Sequence, residues 1–166
     1  MKTLLLACLG LWVSAPGAHA QGTASGPELP DFAEMPGQLA DHQAGGGAGS
    51  SNNSGVEEVV LLGNPDRQGL YVILLKVAPN TSIAAHHHAG QRVGTVLTGT
   101  WALGYGDRFD AGALKTLPPG SIYTEPAGHG HFARTGAEAV VVQITGYGPT
   151  STVYENPADD PSHKQK

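Results

Sequence analysis

The chain carries three consecutive imidazoles, His86-His87-His88, in a stretch with no helical periodicity. In an extended segment successive side chains point to opposite faces, so His86 and His88 face one way and His87 the other. Two imidazoles so spaced on an inward face can converge on one metal ion, whereas on a solvated strand end they are polar surface. The triplet alone does not separate these readings. The one cysteine, Cys8, lies near the N-terminus within an apolar run, so the rest of the chain has no thiolate and no disulfide. Imidazole and carboxylate must carry any chemistry.

Further candidates lie near the C-terminal half. Glu125 precedes Pro126 at the end of a predicted strand, where it either reaches the interior as a general base beside a metal or faces solvent. His129, in the turn that follows, is a second candidate acid or base, or a polar loop residue. Gln143 interrupts Val140-Val141-Val142-Gln143-Ile144 and is either a hydrogen-bond partner for a ligating histidine or an outward position on an alternating strand. Trp101, Tyr105, Tyr123 and Phe132 fall on or beside strands, where packing is the ordinary use of an aromatic ring. A small barrel also has room for one at its mouth, and Tyr105 is the candidate substrate contact.

The elements that must hold these residues are short β-branched and aliphatic runs, at residues 56–62, 70–78, 92–97, 100–104, 121–124 and 139–145, punctuated by Gly, Pro and Asn. None keeps a helical period for ten residues, and the pattern predicts an antiparallel sandwich or closed barrel. The length of 166 residues fits one domain. Residues 1–20 read as a cleaved secretory signal: Lys2, an apolar run from Leu4 to Val13, then Ala18-His19-Ala20. That run is about half of the ~20 residues that span a bilayer, and Leu5-Leu6-Ala7-Cys8 leaves too little apolar chain ahead of the cysteine for a lipoprotein signal. A secreted or periplasmic protein is expected, with no membrane contact after cleavage. Residues 21–55 read as a disordered Gly/Ser/Pro-rich linker in which Leu29, Phe32 and Met35 offer a short docking arm, and residues 158–166 as a polar tail. Loss of Lys2 with the leader takes the formal charge from −5 to −6, and the remaining cations are scattered, which argues against nucleic acid as a partner.

The spacing around the histidines is more specific. Asn80 is followed after five residues by His86-x-His88 and later by Gly99, and the chain then reads Gly120, five residues, Pro126-x-Gly128, two residues, His131, with Thr135 closing the pattern. This pair of motifs resembles those of the cupin superfamily over about residues 56–157. The resemblance implies an all-β fold, the double-stranded β-helix or jelly-roll barrel, and a metal site on His86, His88 and His131. It also implies a homodimer. One departure stands out: Arg92 occupies the position where cupins commonly carry a glutamate ligand, and Gln91 beside it is a poor substitute. A guanidinium cannot ligate a cation. Arg92 either points inward to bind an anionic substrate or turns outward as a surface charge.

Three imidazoles form a neutral ligand set suited to one divalent transition metal rather than calcium or magnesium, and the resemblance implies Fe2+ first, with Zn2+, Cu2+, Ni2+ or Mn2+ as alternatives. Cupins with such a set resemble the diketone-cleaving and thiol-oxidising dioxygenases. The expected function is therefore a metal-dependent oxygenase or oxidoreductase acting on a small molecule. The alternatives are a non-redox lyase, isomerase or hydrolase with Glu125 or His129 as base, and a non-catalytic exported module that binds a metal or small ligand.

Overall fold

The computed structural model describes residues 29–42, 44–45 and 50–164. The leader expected over residues 1–20, the start of the expected linker and the last two residues lie outside the described residues. Among the described residues, eleven strands run β1 (Ala44–Gly45), β2 (Val56–Leu62), β3 (Gly69–Val77), β4 (Ser82–His88), β5 (Arg92–Thr98), β6 (Trp101–Tyr105), β7 (Lys115–Leu117), β8 (Ile122–Glu125), β9 (His131–Thr135), β10 (Val140–Gly148) and β11 (Thr152–Tyr154). They form a six-stranded sheet in the order β1-β2-β3-β10-β5-β8 and a five-stranded sheet in the order β11-β4-β9-β6-β7. Every pairing is antiparallel. This is the expected double-stranded β-helix.

Alternation decides which residues fill the barrel. Along β10, Val140, Val142 and Ile144 are fully buried while Val141 and Gln143 between them are half-buried on the other face. The inward set joins Ile73, Val96 and Leu103 in one core between the sheets. Each such side chain contributes about 1.5–3 kcal/mol when fully withdrawn from water. Asn80, between β3 and β4, has φ 55, the left-handed backbone that asparagine tolerates better than most residues.

Part of the stretch expected as linker is built into the fold. β1 pairs with β2, and a 3-10 helix at Gln38–Asp41 brings Leu39 against a second apolar cluster of Val59, Leu61 and Leu74 on the outer face of the six-stranded sheet. His42 Nδ1 lies 3.1 Å from the Val60 carbonyl and its Nε2 2.7 Å from Glu34. Leu29, Phe32 and Met35, the expected docking residues, stay exposed. Ser50 and Ser51 are buried, so the folded unit includes residues ahead of position 56. Composition weighs apolar side chains but misses main-chain pairing at a sheet edge, which is what anchors β1. At the other end, 3-10 helices at Pro157–Asp159 and Pro161–Lys164 follow β11.

Candidate metal centre

Strands β4 and β9 place the three expected ligands. His86 stands directly opposite His131, and the register between the strands shifts between Ile83 and His86. His86, His88 and His131 are all buried, and one ring nitrogen from each lies within 4.8 Å of the others. Ring centroids are 4.4 Å apart for His86 and His131, 5.0 Å for His86 and His88, and 5.2 Å for His88 and His131. His87 points away, as alternation requires, and its Nδ1 meets Glu155 at 2.7 Å.

The second nitrogen of every ring is anchored. His86 Nδ1 donates to the Ala84 carbonyl at 2.8 Å, His88 Nδ1 to the Ser151 carbonyl at 3.0 Å and His131 Nδ1 to the His129 carbonyl at 3.3 Å. Thr152 Oγ1 lies 3.1 Å from His88 Nδ1 as well. A carbonyl only accepts, so each proton sits on Nδ1 and each Nε2 lone pair is left for the interior. Such outer hydrogen bonds orient imidazole ligands in metal sites. Burial pushes the imidazoles down, to about 3 for His86 and about 2 for His88, with neighbouring positive charge adding to the effect. His131 is lowered for the same leading reason. Neutral, pre-aligned imidazoles are the form a transition metal takes, and this donor set fits one.

Beside the triad lies a buried ion pair. Arg92 and Glu125 are direct cross-strand partners on β5 and β8 and are both enclosed. Arg92 Nε donates to Glu125 Oε2 at 2.6 Å, and Nη2 reaches the same oxygen at 2.5 Å. Arg92 Nη2 also lies 2.5 Å from His88 Nε2. Glu125 Oε2 is 3.6 Å from His88 Nε2, and Oε1 is 3.6 Å from His131 Nε2. Burial alone would raise the Glu125 carboxyl, but the Arg92 guanidinium outweighs it and holds the group well below the usual carboxylate range. Two glycines make room around the pair. A Cβ on Gly94 would stand 2.3 Å from the Tyr123 ring, and one on Gly146, which pairs with Arg92, would stand 2.5 Å from the Tyr71 hydroxyl.

The remaining candidates separate. Tyr105 is exposed, donates its hydroxyl to the Thr124 carbonyl at 2.7 Å and stacks on His129 with centroids 5.8 Å apart. His129 is exposed too, and its carbonyl accepts from His131 Nδ1. Gln143 does not support the ligands: it alternates to the face opposite Val142 and Ile144, and main-chain carbonyls with Thr152 take that role. The sequence reading passed over Ser51, Thr152 and Tyr71, and also Glu58, whose carboxylate is buried with Oε2 lacking a hydrogen-bond partner and is raised by that burial. Glu57-Glu58 within an apolar strand was the available signal for the last. Thr152 gave none, because it reaches His88 only through the β4–β11 pairing.

The triad, Arg92, Glu125, Ser51 and Trp101 enclose a cavity of about 20 Å³. That holds one ion or one water.

Comparison with known proteins agrees with this architecture. Among solved structures, the chain is similar to the polyketide cyclase RemF from Streptomyces resistomycificus, with 21% identity and a TM-score of 0.58 over 77% of this chain and 90% of that one. It is also similar to an RmlC-like cupin from Shewanella frigidimarina, with 15% identity and a TM-score of 0.52 over 72% and 92% of the two chains. A third, a conserved protein with a double-stranded β-helix domain from Klebsiella pneumoniae, has 25% identity and a TM-score of 0.50 over 62% and 81%. These likenesses concern the fold. No curated protein sequence matches the chain. The family described as the ChrR cupin-like domain matches residues 50–149. With that match spanning most of the chain and the barrel and histidine cluster in place, the protein belongs to the ChrR cupin-like family of cupins.

Proposed function

We propose that this protein is an exported metal-dependent cupin that acts on a small molecule with oxygenase or oxidoreductase chemistry at its three-histidine centre. The observation that carries the reading is the set of buried neutral imidazoles, each fixed through Nδ1 with Nε2 turned inward. A bound divalent transition metal, Fe2+ foremost and Zn2+, Cu2+, Ni2+ or Mn2+ otherwise, would supply Lewis acidity and, for the redox-active ions, a path for electrons. His86, His88 and His131 would hold it. Arg92 and Glu125 keep a compensated charge pair at its side, and the enclosing apolar residues limit water around it. Glu125, held ionised by Arg92, is a weak proton acceptor, which counts against base-driven lyase or isomerase chemistry.

A second reading, non-catalytic capture of a metal or small ligand, is favoured by the cavity of about 20 Å³, which admits no large substrate without movement. Export follows from the leader-like residues 1–20. A homodimer is favoured by exposed Val93, Leu97 and Ile122 on the outer face of β5 and β8, at one edge of the six-stranded sheet.

Metal analysis of untagged mature protein beside His88→Ala tests the centre. Near-stoichiometric metal in the wild type and little in the variant is expected; equal, sub-stoichiometric metal in both overturns the site. Oxygen consumption by the Fe2+-loaded protein against a panel of small chelating substrates then separates the two readings, and turnover that persists unchanged under argon would contradict the oxygenase proposal.

A further inference from the structure

The first cupin motif places a carboxylate four residues after its second histidine, and here that residue is Arg92. The carboxylate has not left the site. Arg92 on β5 is paired in register with Glu125 on β8, so the two side chains leave the same face of the sheet from directly opposite positions. Directly opposed residues have Cβ atoms only about 4.5–5.5 Å apart. Exchanging an acid and a base between two such positions moves the carboxylate by roughly one strand spacing, within the swing of a glutamate side chain.

We infer that Glu125 is the fourth metal ligand, a carboxylate transposed from β5 to β8, and that Arg92 is the residue that positions it. This rests on the reading of the three histidines as a metal centre. Two donors bound to one ion at ~2.0–2.2 Å lie roughly 3–3.5 Å apart. Glu125 offers one oxygen at 3.6 Å from His88 Nε2 and the other at 3.6 Å from His131 Nε2, so its carboxylate spans the gap between two of the three imidazoles. Arg92 Nε and Nη2 both meet Oε2, and Oε1 is the oxygen turned toward His131. The buried arginine thus holds a carboxylate aimed where an ion would sit. Its Nη2 is also 2.5 Å from His88 Nε2, so the guanidinium occupies the lone pair that an ion needs. Loading the site requires Arg92 to release His88 while still holding Glu125 Oε2. Arg92 is therefore both the support of one ligand and the competitor for another.

The test uses Zn2+ and Co2+ with full mature protein, by chelator competition and by the visible spectrum of the Co2+ form. Glu125→Gln should weaken Zn2+ binding at least tenfold and change the Co2+ spectrum. Because that variant leaves Arg92 buried beside an amide, the neutral pair Arg92→Met with Glu125→Gln is measured alongside it and should bind Zn2+ more weakly than Arg92→Gln, which keeps the carboxylate. Arg92→Gln keeps the carboxylate but removes both its support and the competitor for His88, so it should bind Zn2+ more tightly than Glu125→Gln while giving a Co2+ spectrum different from that of the wild type. The exchanged pair Arg92→Glu with Glu125→Arg should recover most of the lost affinity. A Glu125→Gln protein or neutral double variant with wild-type affinity and an unchanged Co2+ spectrum overturns the ligand role while leaving the histidine centre intact. A wild-type protein that binds neither ion, or binds them no better than His88→Ala, overturns the centre and the ligand together.

Discussion

Tyr123 packs directly onto Gly94: a methyl group at that glycine would stand 2.3 Å from the phenol ring. Gly94 is two residues beyond Arg92 on the same inward face of β5 and pairs with Tyr123 itself on β8. The missing side chain is therefore what lets the ring lie inside the barrel beside the Arg92–Glu125 pair.

Gly94→Ala should lower stability by about 1–3 kcal/mol, the range for overpacking a filled core. Thermal unfolding measures it. In a double-mutant cycle with Tyr123→Leu the two costs should fall well short of additive, since the smaller side chain removes the clash. Additive costs would show that the ring and the glycine do not share one space.

Thr152 supports His88 from the outside through a 3.1 Å contact with Nδ1. Thr152→Val removes the hydroxyl but leaves the Ser151 carbonyl as acceptor, so Zn2+ affinity should fall by up to about tenfold, the low end for loss of an outer-sphere partner. Thr152→Ser should retain it. Chelator competition on both variants decides, and equal affinity in Thr152→Val and the wild type refutes the supporting role.

Thr135 closes the second cupin motif and ties the β3–β4 turn to β9. Its hydroxyl donates to the Ala78 carbonyl at 2.7 Å and accepts from the Thr81 amide at 2.9 Å. Thr135→Val would leave the buried Thr81 amide without its acceptor, at a cost of about 1–3 kcal/mol. Thr135→Ser should be nearly neutral by comparison. Urea unfolding curves of the two variants make the comparison.

Acid should destabilise the metal-free protein well above the ordinary carboxylate range. His86 and His88 titrate near 6.5 when unfolded and only at about 3 and about 2 when folded, because burial disfavours their charged forms. Between those limits the unfolded chain binds more protons than the folded one, so stability is full above pH 6.5 and falls as pH drops below it. Each histidine contributes up to about 1.4 kcal/mol per pH unit in that window. Glu125, whose folded value is depressed chiefly by Arg92, adds a loss of the same sign below 4.5. Unfolding free energies of the metal-free protein from pH 7 to pH 4 test this; a flat profile for the wild type, or an unchanged slope in His86→Ala, would contradict it.

Sequence alone determined the barrel, the placing of His86 with His88 on one face and His131 as the third histidine of the cluster. These are legible because alternation is a local property of an extended chain and because both motifs keep fixed spacings along it. The same reasoning identified Arg92 as the departure from the family and left its direction open. Only the tertiary structure decided that Arg92 turns inward, that Glu125 stands against it across β5 and β8, that Gln143 faces away, and that Ser51 and β1 belong to the folded unit. The reason is physical: strand register and inter-sheet packing join residues more than thirty positions apart, as with Arg92 and Glu125. Neither periodicity nor composition carries information about which distant residue will stand opposite.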